Sequence, residues 1–532
     1  MNSAPTTVST FPQIARAKAL IDDAKYDQAA AVLIEFLRQR PDHPQAMARL
    51  GQVASHLGAL GQAEHFLRKA IARGVSDFET RSHLASVLNQ QDRPALALPM
   101  FEALANESGD PDLRAVQAGI LEKIGQNDKS REMLRQLTRD RPDKPLFWVA
   151  YGHSLRFSGQ VDEAIAAYRR AIAVDDGFGE AWWGLASIKK PVLDDDDIAA
   201  MRAALAIAID DRNEAPLNFA LARALHDKGD HESAFRHYSE GNRIRAESLK
   251  YDADELTEEV AEIEREVDRA YMAGLPSQTI GDRTPIFIVS LPRSGSTLLE
   301  QILGGHSAIE PVGELPYVPA ILRTFMEMVT RRGKFSVPQA IASLSHEQAA
   351  ALGREYLARA EVHSRSETAL FIDKLPHNWS NILFIRKILP QAKFIDIRRP
   401  AMDCCFSNFT QSFTSAHASS FTLHDVGRSY VDNVRLMDHF DRVAPGLVQH
   451  VDYARLIEDP RSQIAPVLDY LGLEWEDDVL EFHRLERVVR TPSSEQVRRP
   501  LNRDGMAVWR PYAQWLGPLR DVLGELGEHQ AT

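Results

Sequence analysis

Pro285-Ile-Phe-Ile-Val-Ser-Leu-Pro-Arg-Ser-Gly-Ser-Thr-Leu-Leu-Glu-Gln-Ile-Leu303 is the stretch whose pattern points to a fold. Ile286 to Val289 form a short apolar run, β-branched at three of four positions, which predicts a strand buried on both faces. A small polar loop follows, and then Leu298, Leu299, Ile302 and Leu303 recur at helical spacing. Strand, tight loop and helix together offer free backbone N–H groups and a helix N-terminus to one anion. Gly295 lets the backbone approach closely, Ser294, Ser296 and Thr297 carry hydroxyls, and Arg293 adds a planar cation. The pattern predicts a phosphate cradle. It is not the ATP-binding version, because the loop has no Lys and its cation stands two residues before the Gly. On this stretch alone, an ordinary Ser- and Gly-rich strand-to-helix turn is the competing reading.

Outward from the loop, a length of 532 residues predicts two or more domains, and 44% apolar content is ample for buried cores. A net charge of −13 argues against general nucleic-acid binding, which needs clustered cations. No apolar run reaches the length of a membrane span, and residues 1–12 lack the basic-then-apolar pattern of a secretory signal. Cys404 and Cys405, the two cysteines, are adjacent, so neither a disulfide framework nor a zinc site is indicated. These features predict a cytoplasmic protein with no metal, nucleic-acid or membrane partner.

Residues 13–249 repeat. A turn residue is followed by a small or apolar residue five on, a larger one nine on and another twelve on. The register holds at Gly58 (Ala63, Leu67, Ala70), Asp92 (Ala97, Phe101, Leu104), Gly125 (Ser130, Leu134, Leu137) and Gly159 (Ala164, Tyr168, Ala171). It continues at Asp194 (Ala199, Ala203, Ala206) and Gly229 (Ala234, Tyr238, Gly241), with a weaker copy near Lys25 (Ala30, Ile34, Leu37). Small residues seven upstream of these starts, such as Gly51 and Gly152, would let paired helices approach closely. No unit can bury its own face, so the copies are expected to stack into an all-α solenoid. Residues 250–280 are acidic with a helical pattern and read as a linker helix, leaving 281–532 as a second domain.

In that second domain, Glu314 follows a Gly shortly after the cradle. A carboxylate there repels a bound anion, so a proton acceptor is one reason for it, and a solvated loop Glu is the other reading. Leu370 to Asp373 reads as a buried strand ending in Lys374, and Lys393 to Arg398 as a third strand ending in Arg399, with Ser407 eight residues on. Cations at strand ends point into the crevice where open α/β sheets bind ligands. Val448 to Tyr453 reads as a fourth strand. The tail from Arg490 to Arg510 is rich in hydroxyls, amides and arginines and is either a loop folded over an anionic ligand or a polar surface segment.

Taken together, residues 284–515 resemble the sulfotransferase superfamily, most closely the tyrosylprotein sulfotransferases and repeat-bearing bacterial relatives, while residues 13–249 resemble tetratricopeptide repeats. The resemblance implies a repeat solenoid followed by an α/β, P-loop-like domain on a central parallel sheet. It implies 3′-phosphoadenosine 5′-phosphosulfate as co-substrate, with Arg293, Ser294, Gly295, Ser296, Thr297 and Leu298 at the sulfonate end. It casts Glu314 as catalytic base, with Lys374 and Arg293 catalytic, Arg399 and Ser407 on the 3′-phosphate, and Tyr453 at the donor. The family's late segment falls on Ser493, Gln496, Val497, Arg498, Arg499, Pro500 and Asn502. Three positions depart: a further 3′-phosphate Arg falls on Gln411, a late Lys falls on Val508, with Arg510 near enough to replace it, and Ser296 stands where the closest relatives have Thr, which keeps the hydroxyl. The implied partner is a protein or peptide on the repeats, and a homodimer is left open. The acceptor, a protein tyrosine, a glycan or a small alcohol or phenol, is not legible. A repeat scaffold with an inactive nucleotide-binding domain and, less well supported, a P-loop kinase are the alternatives.

Overall fold

In the computed structural model, residues 11–188, 190–207, 210–249, 251–330, 333, 335–413, 415–484, 497 and 499–528 are described. Contact density divides the chain into two units, residues 1–133 with 320–333 and residues 134–319 with 334–532, and each is taken by itself. The boundaries expected at 249 and 281 stand as a proposal about folding limits.

The first unit holds helical pairs such as Pro44–His56 with Leu60–Ala72 and Phe78–Gln90 with Pro94–Ser108. The turn residues Gly58 and Asp92, which start sequence repeats here, are helix C-terminal caps. Gly58 has φ 76° and Asp92 φ 51°, and the next N–H closes back five residues, from Ala59 to Ala54 O at 2.9 Å and from Arg93 to Leu88 O at 3.0 Å. This is the left-handed termination that Gly adopts without a Cβ clash. Gly51 shows why small residues recur upstream: a Cβ there would lie 2.6 Å from Leu67 Cγ. The weak first copy is shifted by one from its expected register. Ala24, at φ 56°, is its cap, and Ala29, Leu33 and Phe36 face the core, not Ala30, Ile34 and Leu37. In the helix Tyr317–Thr330, Arg323 donates to Gln90 O at 3.0 Å, and Glu327 accepts from Gly61 N at 3.2 Å. A cation thus meets a helix C-terminus and an anion a helix N-terminus, the favourable sense for both dipoles.

The second unit continues the helical pairs and adds the sheet. Gly159 and Gly229 cap as Gly58 does, at φ 83° and 82°. The copy at Asp194 is out of register. Ala199, Ala203 and Ala206 are exposed, whereas Asp197, Met201 and Ala204 are buried, the positions expected from a start two residues earlier. Asp194 is instead the N-cap of the helix Asp195–Leu205, with a reciprocal capping box to Asp197. The acidic stretch after residue 250 forms the helix Ala253–Glu266, which packs Val260 and Ile263 inward and pairs Glu264 with Arg435.

Five parallel strands follow: β1 (Thr284–Val289), β2 (Ile309–Gly313), β3 (Leu370–Asp373), β4 (Lys393–Arg398) and β5 (Val448–Asp452), in the order β2-β3-β1-β4-β5. Central β1 is buried from Pro285 to Val289, as its unbroken apolar run requires. β2 was not legible. It is an edge strand with Pro311 inside it at a register irregularity, and a residue without an N–H is tolerated at an edge or a bulge. Because all five strands run the same way, their C-terminal ends share one edge. Glu314, Lys374, Arg399 and Tyr453 are each the residue immediately after a strand, and Arg293 lies in the loop after β1. No helix among the described residues is long and apolar enough to cross a membrane.

Candidate active site

The loop after β1 is held from behind. Asn408, on the helix Ala401–Phe409, donates to Pro292 O at 2.7 Å, and Arg399 Nη1 donates to Arg293 O at 2.9 Å. In trans peptides this turns the following amides away from that helix. Arg293 itself has φ 65° and Gly295 φ 98°, two left-handed residues that bend the chain into the helix Ser296–Leu303. Only glycine fits at 295, because a Cβ would lie 2.3 Å from the Tyr453 ring. Burial, then the neighbouring Arg399 guanidinium, push Arg293 down to about 10, still charged at neutral pH, and its Nε donates to Ser407 Oγ at 3.2 Å.

Beyond the loop lies a cavity of about 430 Å³, within the usual span for small-molecule sites. Of the residues expected at the donor, Arg293, Gly295, Ser296, Thr297, Leu298, Arg399, Tyr453, Val497, Arg499, Pro500 and Asn502 line it, as does Glu314. Ser294 does not line it: its hydroxyl lies beneath the loop, 3.3 Å from Cys404 Sγ. Ser407 reaches the site through Arg293, and Arg510 is an exposed residue outside the lining. Ser493, Gln496 and Arg498 lie outside the described residues. The sequence carried no signal for Phe413 and His417, which line the same cavity with ring centroids 4.7 Å apart, because they sit in a non-periodic segment. Among the described residues no cluster suited to a metal ion occurs.

Lys374 is not among the cavity-lining residues and reaches the site through Glu314, which is. The Lys374 side chain is 1% exposed, its ammonium donates to Glu314 Oε1, and Glu300 Oε2 lies 4.0 Å away. Burial alone would lower Lys374, but the Glu314 and Glu300 carboxylates outweigh it, and the net shift is upward. Beside it, Asp373 is pushed up to about 8, chiefly by burial, and accepts from Tyr356 OH at 2.8 Å and Leu315 N at 3.3 Å. That second bond ties down the segment carrying Glu314. Glu310 is placed otherwise. It does not line the cavity and is bound by Arg283 at 2.8 Å and Ser364 at 2.9 Å.

The arrangement offers cations to an anionic ligand. Arg293, the helix start at Ser296 and Arg399 all line the cavity, and the buried Arg399 Nε lacks a hydrogen-bond partner. An unpaired buried donor is costly unless a ligand satisfies it.

Residues 285–477 match the model of the sulfotransferase family, and residues 14–78 and 145–188 match models of the tetratricopeptide repeat. The chain is 29% identical over 436 residues to an uncharacterized protein of Aquifex aeolicus (strain VF5), covering 80% of this chain and 56% of that one. It is 24% identical over 237 residues to protein-tyrosine sulfotransferase 1 of Danio rerio, covering 43% of this chain and 66% of that one. Against protein-tyrosine sulfotransferase A of Caenorhabditis elegans the identity is 23% over 235 residues, covering 42% and 60%. The chain therefore spans between 56% and 66% of the length of these relatives. Among solved structures, YrrB, titled a TPR protein with an unusual peptide-binding site, is similar over 32% of this chain and 89% of its own, at 20% identity and TM-score 0.30.

Proposed function

For a chain in which a sulfotransferase-family domain follows tetratricopeptide repeats, we propose sulfuryl transfer from 3′-phosphoadenosine 5′-phosphosulfate to an acceptor hydroxyl, with a protein tyrosine as the favoured acceptor. The observation that carries this is Glu314, paired with the buried Lys374 ammonium, lining the same cavity as Arg293 and the Gly295–Leu298 part of the loop. The donor supplies a sulfuryl group activated by a phosphate leaving group. Arg293, the loop amides and Lys374 hold fixed positive ends where charge develops on the departing oxygens. Glu314 accepts the proton of the acceptor hydroxyl as its oxygen bonds to sulfur, a contribution of about 10²–10⁴-fold. Arg399 binds the 3′-phosphate, and Ser407 orients Arg293. Phe413 and His417 offer ring surface beside Glu314, which suits a phenol.

The repeats are proposed to dock the acceptor protein, in keeping with the names of the relatives and with the repeat families matched. Two buried, unpaired cysteines fit a reducing compartment such as the cytoplasm. The test is thermal stabilisation of the full chain by 3′-phosphoadenosine 5′-phosphate against adenosine monophosphate, with and without Mg²⁺. The bisphosphate should raise the melting temperature more, and without Mg²⁺. Equal shifts from both nucleotides, or a strict need for Mg²⁺, overturn the reading. Labelled donor incubated with a cell lysate then reports whether label enters protein, glycan or small molecules.

A further inference from the structure

The wall of the cavity formed by Arg499, Pro500, Leu501, Asn502 and Gly505 belongs to a C-terminal strap whose Leu501 packs against the core of the sheet. Its polar contacts within itself are local, as between Arg499 and Asp504. Among the described residues it is fastened outward at Arg503 to Glu458, at Gly505 O to Arg399, and at Ala507 N to Asp403 Oδ1 at 2.6 Å. Asp403 is 7% exposed, on the same helix as Ser407 and Asn408, and Ala507 takes φ 60° to present its amide.

Five residues further on, Tyr512 is fully buried, 4.7 Å from the Phe406 ring of that helix. Its hydroxyl lies 2.7 Å from His226 Nδ1 and 3.4 Å from His231 Nδ1. Both histidines come from the turn of the last helical repeat, between the helices Asp211–Asp227 and His231–Leu249. The same repeat stacks Phe235 on Trp515 at 5.3 Å, and buried Asn242 donates to Phe409 O at 2.8 Å, the end of the helix bearing Asp403.

We propose that the last repeat is a working part of the donor site: His226, through Tyr512, and Asp403, through Ala507, are positioning residues that hold the strap against the donor. This rests on the donor reading above. A strap that detaches leaves fewer molecules competent to bind, and apparent affinity falls by the competent fraction. Losing one buried hydrogen bond shifts such an equilibrium by roughly five- to tenfold.

Affinity for 3′-phosphoadenosine 5′-phosphate, measured by calorimetry on the full chain, tests this. Tyr512→Phe keeps the ring and removes the bond to His226, and should weaken binding measurably, by up to about five- to tenfold. Tyr168→Phe removes a matched bond, Tyr168 OH to His153 Nδ1 at 2.8 Å within an earlier repeat, and should leave affinity unchanged. Asp403→Ala should also weaken binding, and Asp403→Asn, which keeps an acceptor oxygen, should restore it. Removing a carboxylate 3.9 Å from Arg399 would by itself strengthen anion binding, so weaker binding reports the anchor. Wild-type affinity in both Tyr512→Phe and Asp403→Ala overturns the proposal. Should the wild type bind no bisphosphate, the donor reading falls and tryptic cleavage after exposed Arg503 decides the anchor: faster cleavage in both variants upholds it, and equal rates overturn it.

Discussion

Glu310 and Glu314 lie four residues apart, and their surroundings set them to different work. Glu310 is 9% exposed and satisfied by Arg283, Ser364 and the Arg365 amide, whose bonds outweigh burial and hold its carboxyl below the usual carboxylate range. Glu310→Gln should therefore lower stability, by about 2 kcal/mol for a lost charge-assisted pair, with donor affinity unchanged. Glu314 faces the cavity and carries Lys374 as its bound cation. Glu314→Gln should lower turnover by two or more orders of magnitude while donor affinity holds or rises slightly, since a charge near the donor anion is removed. A dead Glu310→Gln beside a working Glu314→Gln would reverse the assignment. Gly295→Ala meets both the Tyr453 ring and a left-handed φ, and should cost about 1–3 kcal/mol and weaken donor binding. Trimming Tyr453 in that background relieves the clash but not the backbone strain, so recovery read by urea unfolding should be partial.

Elements carry their own tests. Six of the seven repeat copies begin at a left-handed cap, Ala24, Gly58, Asp92, Gly125, Gly159 or Gly229, and Ala24 is the cap with the least suitable side chain. Ala24→Gly should raise stability by about 1 kcal/mol, seen as a higher urea midpoint with unchanged slope. Asp92→Gly should gain less, because Asp tolerates this conformation and its carboxylate lies 3.4 Å from Lys123 Nζ. In the sheet, His450 on β5 lies 3.1 Å from both Asp396 of β4 and Asp441, and the Asp396 bond raises its pKa. A raised folded value means the protonated imidazole stabilises the fold below its unfolded pKa of about 6.5. That contribution fades as pH rises through the higher folded value. His450→Gln should thus lose stability at pH 6 and little well above the folded pKa, which flattens the pH profile of unfolding.

At the scale of the molecule, the packing of Phe235, Asn242, His226 and the helix Ala253–Glu266 into the second unit sets what can be cut away. A chain starting at residue 281 would expose these faces and should aggregate or melt well below the full chain, measured by light scattering during heating. If it folds and binds the bisphosphate with full affinity, the last repeat contributes nothing to the donor site, and 281–532 is a folding unit as the sequence pattern proposes.

Patterns local in the chain were legible without coordinates. The apolar run of β1 with its Ser- and Gly-rich loop, the cations closing β3 and β4, and the recurring Gly caps are set by backbone chemistry over a few residues, so sequence alone determined a repeat array followed by a parallel sheet with a tight Ser- and Gly-rich strand-to-helix loop. Register was legible where the starting residue is the left-handed cap, glycine or Asp92, and failed at Lys25 and Asp194, which are not such caps. What tertiary structure decided was long-range. Parallel strand order brought Glu314, Lys374, Arg399 and Tyr453 to one edge, and edge pairing made a strand of a segment containing Pro311. Burial separated Ser294 from the cavity, and contacts across more than 280 residues joined His226 to Tyr512. No spacing in the chain encodes such meetings, because they depend on which faces pack together once the helices and strands exist.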